Sequence, residues 1–460
     1  MVSPVTPPRG MRDILPAEKA MRERVLSRIR SVYRAHGFDE IETPVVEDAA
    51  RLFSGLGGDN EKLAYAVMKR GLTTDDLAAA ATPLDLADLG LRFDLTVPLA
   101  RFYASNRAQL PAVFRAIQIA PVWRAERPQK GRYRQFVQCD IDIIGESGIV
   151  AEVELITATA AALDALGIPG CSIRINDRRI LISMLAALGF TPESHAAVLI
   201  SLDKLDKIGT AGVIAELTER GMPLAALAAL QAVPAFATFG AEATTHTAPA
   251  ASEALTVESI AAVLPPSVDK QALADVAAIA AAVAAASSSA TSPSSASSPA
   301  VSAARALPLV FDPFLVRGMG YYTGPIFEVV HPSLGYSLGG GGRYDGMIGR
   351  FLGTEVAASG FSLGFERLID LVDLDAGDDL SASALLYDTD ADLGVVMALK
   401  AQLVVGDARV RLLKRPKNMK AALDQLAEDG FTRFAIVGAD QTAGTADASS
   451  LDWRRLGSAH

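Results

Sequence analysis

Four arginines and a lysine lie close together in RAERPQKGRYR, residues 124–134 of the chain. Guanidinium groups bind phosphate oxygens through paired hydrogen bonds, so such a cluster can hold a polyphosphate and the end of an RNA. Arg124 and Glu126 share one face of the incoming strand. A solvated charged turn is the alternative interpretation. Flanking strands favour binding, because they would hold the cluster rigid.

Polar and apolar side chains alternate along the following segment, QFVQCDIDIIG, residues 135–145. In an extended strand, this period of two places a polar set with one aromatic residue on a single face: Phe136, Gln138, Asp140 and Asp142. Alternation alone favours an ordinary half-exposed strand. The arginine-rich loop that precedes the strand makes a binding face the better interpretation.

Three further segments carry polar residues beside apolar strands or glycines: LRFDLTVP, LVRGMGYYTGPIFEVV with the later run GGGGRYDG, and GFSLGFERL. Four consecutive glycines let a backbone approach a ligand or a neighbouring strand closely, although alone they are a weak signal. The candidate residues in these segments are Asp94, Thr96, Arg317, Tyr321, Tyr322, Glu366 and Arg367.

Periodicity predicts the elements that position these residues. A helical stripe follows Pro16 and ends at Gly37. Residues 38–47 (FDEIETPVVE) predict a strand in which Pro44 lies at an edge, a bulge or a subunit boundary, because proline cannot donate to a sheet ladder. The segments LRFDLTVPLAR and PAVFRAIQIAPVWRAE predict further strands, and a βαβ pattern after Ser381 predicts a small α/β domain.

A chain of 460 residues is expected to form two or three domains. We predict a first part of a catalytic core over residues 1–169 and a helical insertion over 170–306 that ends in a Ser/Ala/Pro-rich linker. Residues 307–378 would complete the core, and 379–460 would form the α/β domain.

Composition excludes several classes of protein. Hydrophobic residues make up 50% of the chain and charged residues 21%, which is typical of a globular protein. Two cysteines cannot build a disulfide framework, and neither a secretory signal nor a membrane-spanning segment is evident, so we expect a cytoplasmic protein. The net charge of −10 requires any RNA contact to be local, and the five histidines have no metal-ligand spacing, so no protein metal site is expected.

These segments, in this order, resemble those of the histidyl-tRNA synthetases, a family of class II aminoacyl-tRNA synthetases. Residues 123–145 resemble motif 2 of that class, GFDEIETPVVE resembles motif 1, and GFSLGFERL resembles motif 3. RGMGYYTG and GGGRYDG are similar to the two histidine-specific signatures. The resemblance covers residues 9–164 and 307–371, and the C-terminal block more loosely. The class I signatures HIGH and KMSKS are absent from the sequence.

The resemblance implies an α+β fold: an antiparallel sheet flanked by helices, with a helical insertion and a shortened C-terminal α/β domain similar to anticodon-binding domains. It implies a homodimer formed through motif 1, and ATP and L-histidine as substrates with Mg²⁺ on the phosphates. For ATP, the implied residues are Arg124 at the α-phosphate, Glu126 at the adenine or ribose, and Phe136 and Arg367 around the adenine, with Arg367 also facing the γ-phosphate.

For histidine, the resemblance implies that Asp94 and Thr96 receive the ammonium group and that Gln138 lies on the carboxylate side. Asp142 and Tyr322 would bind the imidazole nitrogens. The implied histidine site also includes Arg124, Arg317 and Tyr321, with Arg317 and Arg124 as the catalytic arginines. Arg127 and Gln129 would meet the acceptor end of tRNA(His).

Two departures from the family pattern bear on function. Gly320 stands where the family usually has an aspartate, and the C-terminal domain is expected to lack a strand or two, so whether it recognises the anticodon is left open. The alternative function is that of a catalytically inactive relative, the histidine-sensing regulatory subunit of ATP phosphoribosyltransferase. Such subunits typically lose the C-terminal domain and the ATP motifs, whereas Arg124, Phe136, Arg317 and Arg367 are all present here. The synthetase is therefore the favoured interpretation.

Overall fold

The structure, a computed structural model, describes residues 5–53, 63–129, 131–238, 255–290, 307–317, 320–372, 382–405, 409–441 and 447–456. The chain divides into two compact units. The first unit consists of residues 1–13 and 25–373, and the second consists of residues 14–24 and 374–460.

The helices and strands are distributed over both units. The helices are α1 (Pro16–Ala35), α2 (Ala49–Leu52), α3 (Thr74–Ala79), α4 (Thr96–Asn106), α5 (Val150–Ala165), α6 (Arg178–Ala187), α7 (Pro192–Leu202), α8 (Leu205–Glu219), α9 (Leu224–Gln231), α10 (Pro234–Thr238), α11 (Val257–Ala261), α12 (Lys270–Ala290), α13 (Asp345–Leu352), α14 (Phe365–Leu368), α15 (Leu393–Val405) and α16 (Met419–Glu428). The strands are β1 (Asp39–Glu40), β2 (Val46–Asp48), β3 (Ala66–Met68), β4 (Ala87–Leu91), β5 (Phe114–Trp123), β6 (Gln135–Ile144), β7 (Ser172–Asp177), β8 (Leu309–Phe311), β9 (Pro325–Val330), β10 (Gly339–Arg343), β11 (Ala358–Gly364), β12 (Ser383–Tyr387), β13 (Val410–Lys414), β14 (Arg433–Val437) and β15 (Arg454–Arg455).

An eight-stranded sheet organises the first unit, in the order β1-β5-β6-β11-β10-β9-β7-β8. Only its edge pairs, β1 with β5 and β7 with β8, are parallel; the five pairs between them are antiparallel. Helices pack on this sheet, as α5 does against β6 and β11. The predicted antiparallel sheet flanked by helices is confirmed. The predicted helix after Pro16 is also present as α1, which buries Val25 and Ile29.

Two predicted strands are wrong in part. Residues 38–47 do not form one strand: β1 joins the large sheet, β2 joins a three-stranded sheet in the order β2-β4-β3, and Pro44 lies between them. The predicted strand LRFDLTVPLAR is interrupted where α4 begins at Thr96. Pro98 lies in the first turn of α4, where a missing N–H costs no hydrogen bond, so the proline was a sign of a helix start rather than of a strand.

The helical insertion begins later than residue 170, because β7 lies within the large sheet between β9 and β8. Helices α6 to α12 follow, and α12 continues to Ala290, so its last turn lies within the Ser/Ala-rich sequence that was predicted to be a linker. The rest of the predicted linker, residues 291–306, lies outside the described residues.

One helix in the described part of the chain, α12, is long and apolar enough to cross a membrane, and the pair α6 and α7 passes the same test only if taken together despite a bend of 115°. However, α12 packs against α5, α6 and β7, and its Ala272, Val276 and Ile279 are fully buried. A helix in this position belongs to the protein core.

The second unit contains a four-stranded sheet in the order β13-β12-β14-β15. Its first three strands are parallel and its last strand is antiparallel. The helices α15 and α16 provide the connections between the parallel strands, which agrees with the predicted βαβ pattern. Leu385, Val395 and Val437 belong to the core cluster on one side of this sheet.

Candidate functional site

A cavity of about 400 Å³ lies in the first unit and is lined by residues of β6, β10 and β11, by the start of α4 and by the segment before β9. Of the thirteen residues to which the resemblance assigns a role, eleven line it: Asp94, Thr96, Arg124, Glu126, Phe136, Gln138, Asp142, Arg317, Tyr321, Tyr322 and Arg367. The strand alternation in β6 therefore placed its polar residues correctly. The opposite face of β6 is core, with Cys139, Ile141 and Ile143 fully buried.

Carboxylates dominate one end of the cavity. Asp142 is buried, and its Oδ1 accepts a hydrogen bond of 2.6 Å from the hydroxyl of Tyr344. Burial raises the pKa of Asp142 to about 7, although the Tyr344 hydroxyl acts in the opposite direction. Gly360 lies opposite Asp142 on β11, where an added Cβ would come within 1.9 Å of Asp142 Oδ1. Only a residue without a side chain at this position leaves room for the Asp142 carboxylate.

Asp94 reaches the same end from the start of α4. Its Oδ1 accepts a hydrogen bond from the Val97 N–H at 3.2 Å, while its buried Oδ2 has no hydrogen-bond partner among the described residues. Burial raises the pKa of Asp94 to about 6. An unpartnered buried carboxylate oxygen costs stability unless a ligand donates to it. Asp94 and Thr96 thus share the cavity because the chain turns into a helix here, and not because they alternate on a strand.

Tyr321 and Tyr322 form an aromatic group with Tyr344. The ring centroids of Tyr321 and Tyr322 are 4.8 Å apart, and those of Tyr321 and Tyr344 are 6.0 Å apart. Burial raises the pKa of all three hydroxyls, so they remain protonated hydrogen-bond donors at neutral pH.

Arginines dominate the other end. Arg124 donates from Nε to the Phe93 carbonyl at 2.8 Å, and its Cζ lies 5.2 Å from the centroid of the Phe136 ring. Arg367 lies over a different aromatic ring, that of Tyr336, at 5.4 Å. The predicted placement of adenine between Phe136 and Arg367 stays a prediction.

The guanidinium groups at this end lie close enough to repel each other. Burial lowers the pKa of Arg367, and the neighbouring guanidinium groups of Arg132, Arg317 and Arg124 lower it further. This concentration of positive charge would be relieved by the phosphates of a bound nucleotide.

Arg317 is held between the two ends. Its Nη1 donates to Glu328 Oε1 at 2.7 Å, and Glu328 also lies 3.4 Å from Arg174 of β7. The glycine run that gave only a weak signal in the sequence has a specific role here. A Cβ added to Gly340 would lie 2.6 Å from Arg317 Nη1, so the guanidinium group lies directly on this glycine backbone.

The two remaining predicted residues, Arg127 and Gln129, do not line the cavity. They are exposed on the loop between β5 and β6, which we call the motif 2 loop (residues 124–134). The N-terminal segment packs against this loop: Arg134 donates its backbone N–H to the Gly10 carbonyl at 2.8 Å. Gly10 has φ 83°, and a Cβ added there would lie 2.7 Å from Pro128 Cγ.

Several lining residues had been given no role from the sequence. Asp140 and Tyr344 could have been chosen, because Asp140 shares the polar face of β6 and Tyr344 lies in the GGGRYDG segment. Ser362 lies opposite Asp140 on β11. Asp203 and Lys207 reach the cavity from the helical insertion, and no sequence pattern pointed to them.

Among the described residues, no group of three or more His, Cys, Asp or Glu side chains could hold a metal ion. Magnesium bound to a nucleotide does not need such a group, because phosphate oxygens and water supply most of its ligands beside one or two carboxylates. Glu126 and Glu366 are the carboxylates that line the arginine-rich end. These two carboxylates would join the phosphate oxygens and water around such an ion.

Comparison with known proteins identifies the family. The family model for histidyl-tRNA synthetase matches residues 10–368. A histidine–tRNA ligase from Leifsonia xyli is 55% identical over 98% of this chain and 99% of its own length. Among solved structures, a histidyl-tRNA synthetase from Nostoc has a TM-score of 0.69 with 22% identity, covering 98% of this chain and 97% of its own.

A second solved structure bears on the alternative function. A protein from Bacillus halodurans, described as an ATP phosphoribosyltransferase regulatory subunit/histidyl-tRNA synthetase, has a TM-score of 0.70 with 18% identity over 95% of this chain and 99% of its own. At this identity the likeness shows a shared fold only. The family match and the 55% identity to the Leifsonia protein are the more specific findings. On these grounds the chain belongs to the histidyl-tRNA synthetase family.

Proposed function

We propose that this chain attaches L-histidine to the 3′ end of tRNA(His), using ATP and forming histidyl-adenylate as an intermediate. The observation that carries the proposal is a single cavity with buried carboxylates at one end and arginines at the other. A molecule with an ammonium group and an imidazole fits the first end, and a triphosphate fits the second. The carboxylate of histidine and the α-phosphate would then meet between them.

Selection of histidine would rest on the carboxylate end. Asp142 and Tyr322 would bind the two imidazole nitrogens, and Asp94 with Thr96 would bind the ammonium group. A pocket that hydrogen-bonds both nitrogens discriminates strongly against apolar analogues, because its own buried polar groups would be left unpaired.

Catalysis would consist of positioning and charge stabilisation. The histidine carboxylate attacks the α-phosphorus, the bond to the leaving diphosphate breaks, and negative charge on the phosphate oxygens must be stabilised. Arg124 and Arg317 would supply this stabilisation. Arg367 would face the γ-phosphate, and Glu126 would contact the adenine or ribose. Magnesium held with Glu126 and Glu366 would neutralise the phosphates.

The Arg317 assignment is supported by the ion pair with Glu328 and by the contact with Gly340, which hold the guanidinium group in a fixed place. Arg317→Ala should reduce kcat for adenylate formation by about 100-fold or more, as expected when a preorganised charge is removed from a transition state, with little change in histidine or ATP affinity. Single-turnover measurements of adenylate formation, with ATP and histidine binding measured separately, test this. An unchanged kcat would contradict the role.

Transfer to tRNA would involve the motif 2 loop, with Arg127 and Gln129 at the acceptor end, and the second unit, whose basic residues would contact the tRNA. We further propose a cytoplasmic homodimer formed through motif 1, and a core whose first part extends through β7 and whose second part spans residues 307–378, around the insertion.

Histidine-dependent exchange between ATP and diphosphate tests the proposed function directly. We expect robust exchange with histidine and none with other amino acids, followed by charging of tRNA(His). Tight histidine binding without exchange would instead indicate a histidine sensor. The presence of Arg124, Arg317 and Arg367 around one cavity supports the enzyme.

A further inference from the structure

A buried polar group beside the cavity determines which way the amide of Gln138 points. Gln138 Nε2 lies 2.7 Å from the hydroxyl oxygen of Ser362 and 3.4 Å from both carboxylate oxygens of Asp140. Gln138 and Asp140 lie two residues apart on the same face of β6, and Ser362 is the direct cross-strand partner of Asp140. The three side chains therefore face one another between two adjacent strands.

The oxygens around the Gln138 amide define its orientation. Its Nε2 donates to the Ser362 hydroxyl oxygen at 2.7 Å, and both Asp140 oxygens lie at 3.4 Å. Burial raises the pKa of Asp140 well above its usual value, and the Asp142 carboxylate raises it further. A protonated carboxyl still has a carbonyl oxygen that accepts, so both neighbours offer acceptors to the NH₂ group of Gln138. The reverse orientation would lose the short hydrogen bond from Nε2 to Ser362.

This orientation leaves the amide oxygen of Gln138 available as an acceptor. Gln138 lines the cavity, and its Oε1, on the opposite side of the amide from the NH₂ group, is buried and has no hydrogen-bond partner in the described part of the chain. Asp94 Oδ2 lines the same cavity and is also buried without a partner. Two unpartnered acceptors in one cavity match a ligand group that only donates, such as a primary ammonium.

We propose that Ser362 and Asp140 are positioning residues that fix Gln138 as an acceptor for the ammonium group of the amino-acid substrate. This inference rests on the proposed function, since histidine is taken as the substrate. It differs from the expectation drawn from the sequence, which placed Gln138 on the carboxylate side of histidine. Neither Ser362 nor Asp140 needs to touch the substrate, because both act through the orientation of one amide.

Two histidine analogues separate these possibilities. Histidinol has the ammonium group and the imidazole but no carboxylate, whereas imidazolepropionate has the imidazole and the carboxylate but no ammonium group. Binding of each to the full chain is measured by calorimetry, so the result does not depend on catalytic activity. Ser362→Ala removes the acceptor that holds the NH₂ group and allows the amide to rotate.

We expect Ser362→Ala to weaken histidinol binding by about five- to tenfold, the size of one ordinary hydrogen bond, and to leave imidazolepropionate binding unchanged. Ser362→Thr keeps the hydroxyl and should restore histidinol affinity. Ser359→Ala is the matched control: Ser359 is a fully buried serine on the same strand, its hydroxyl has no hydrogen-bond partner in the described part, and it does not line the cavity.

Three outcomes would overturn the inference. Weaker binding of imidazolepropionate alone would place Gln138 on the carboxylate side. Equal weakening of both analogues would show a general structural role for Ser362, and no change in either would show that the amide is not held by this serine. A failure of the proposed function looks different: the unmodified protein would then bind histidine without catalysing exchange between ATP and diphosphate.

Discussion

Replacing Asp142 by asparagine separates the cost of this carboxylate to the fold from its contribution to substrate binding. Asp142 is buried, and burial raises the pKa of its carboxyl from 3.8 to about 7. Asparagine keeps the shape of the side chain and an oxygen that can accept from Tyr344, but it carries no charge. We therefore expect the substrate-free protein to become more stable and histidine binding to become weaker.

The effect on binding follows from the proposed contact between Asp142 and an imidazole N–H. A hydrogen bond to a charged group contributes about 1.5–3 kcal/mol, which corresponds to a rise of about 10- to 150-fold in the KM for histidine. The KM for ATP should not change, because Asp142 lies at the carboxylate end of the cavity. Both constants are measured in histidine-dependent exchange at pH 8. Equal increases in both would refute the assignment.

The effect on stability has a definite dependence on pH. A carboxyl whose pKa is raised by folding binds its proton more tightly in the folded state, so its unfavourable contribution is absent below about pH 4 and complete above about pH 7. This rise in the pKa of Asp142 corresponds to a destabilisation of at most about 4 kcal/mol at pH 8. The apparent melting temperature of Asp142→Asn should therefore exceed that of the unmodified protein at pH 8, and by much less at pH 5. An equal difference at both pH values would contradict charge burial as the cause.

Tyr344→Phe provides an independent check on the same carboxylate. The Tyr344 hydroxyl lowers the pKa of Asp142 by donating to it, so its removal should raise that pKa further. If ionised Asp142 binds histidine, the pH at which the KM for histidine falls should move upward in this variant. Titration of free histidine affects both proteins equally and cancels in the comparison.

Two glycine substitutions test close contacts, each against a matched glycine. Gly360→Ala should raise the KM for histidine about tenfold or more, because the new methyl group would displace the Asp142 carboxylate, whereas Gly364→Ala on the same strand meets no atom closer than 3.4 Å and should leave that KM unchanged. A similar KM in both variants would argue against a steric role for Gly360. Gly10→Ala should lower the rate of tRNA charging more than the rate of histidine-dependent exchange, because the new methyl group would meet Pro128, which lies between Arg127 and Gln129. Gly37 is the matched control, because it has a similar positive φ but no described atom within 4 Å of an added Cβ. Gly37→Ala therefore carries only the backbone cost of about 1 kcal/mol. Equal charging rates in these two variants would show that the contact between residue 10 and Pro128 does not matter.

The sequence predicted the large sheet and the polar face of β6 because both depend on local alternation. Cys139, Ile141 and Ile143 are all fully buried on one face, and the facing set lines the cavity. The start of α4 was missed for a local reason as well. The segment LRFDLTVP shows strand-like alternation, but a helix begins within it at Thr96. Pro98 could have indicated the helix start, but it was taken as part of a strand.

Other features of the site could not be predicted from local patterns. The partnership of Asp140 with Ser362 joins residues 222 positions apart, and it depends on the register between β6 and β11. The same register explains why residue 360 is a glycine. A side chain there would collide with the Asp142 carboxylate, and this is apparent only once the two strands are paired. Asp203 and Lys207 reach the cavity through the folding of a separate helical segment.

The buried charges of the cavity are unfavourable for the fold by themselves. Asp94 and Asp142 have raised pKa values from burial, and Arg367 has a lowered pKa from burial and from its cationic neighbours. The charged form of each group is therefore less stable in the cavity than it would be in water. The proposed substrates bring the opposite charges to both ends, an ammonium group to the carboxylates and phosphates to the arginines. Binding of both substrates would neutralise the two ends and leave the histidine carboxylate and the α-phosphate, which repel each other, beside Arg124 and Arg317. Arg124 and Arg317 would thus offset the repulsion between the histidine carboxylate and the α-phosphate.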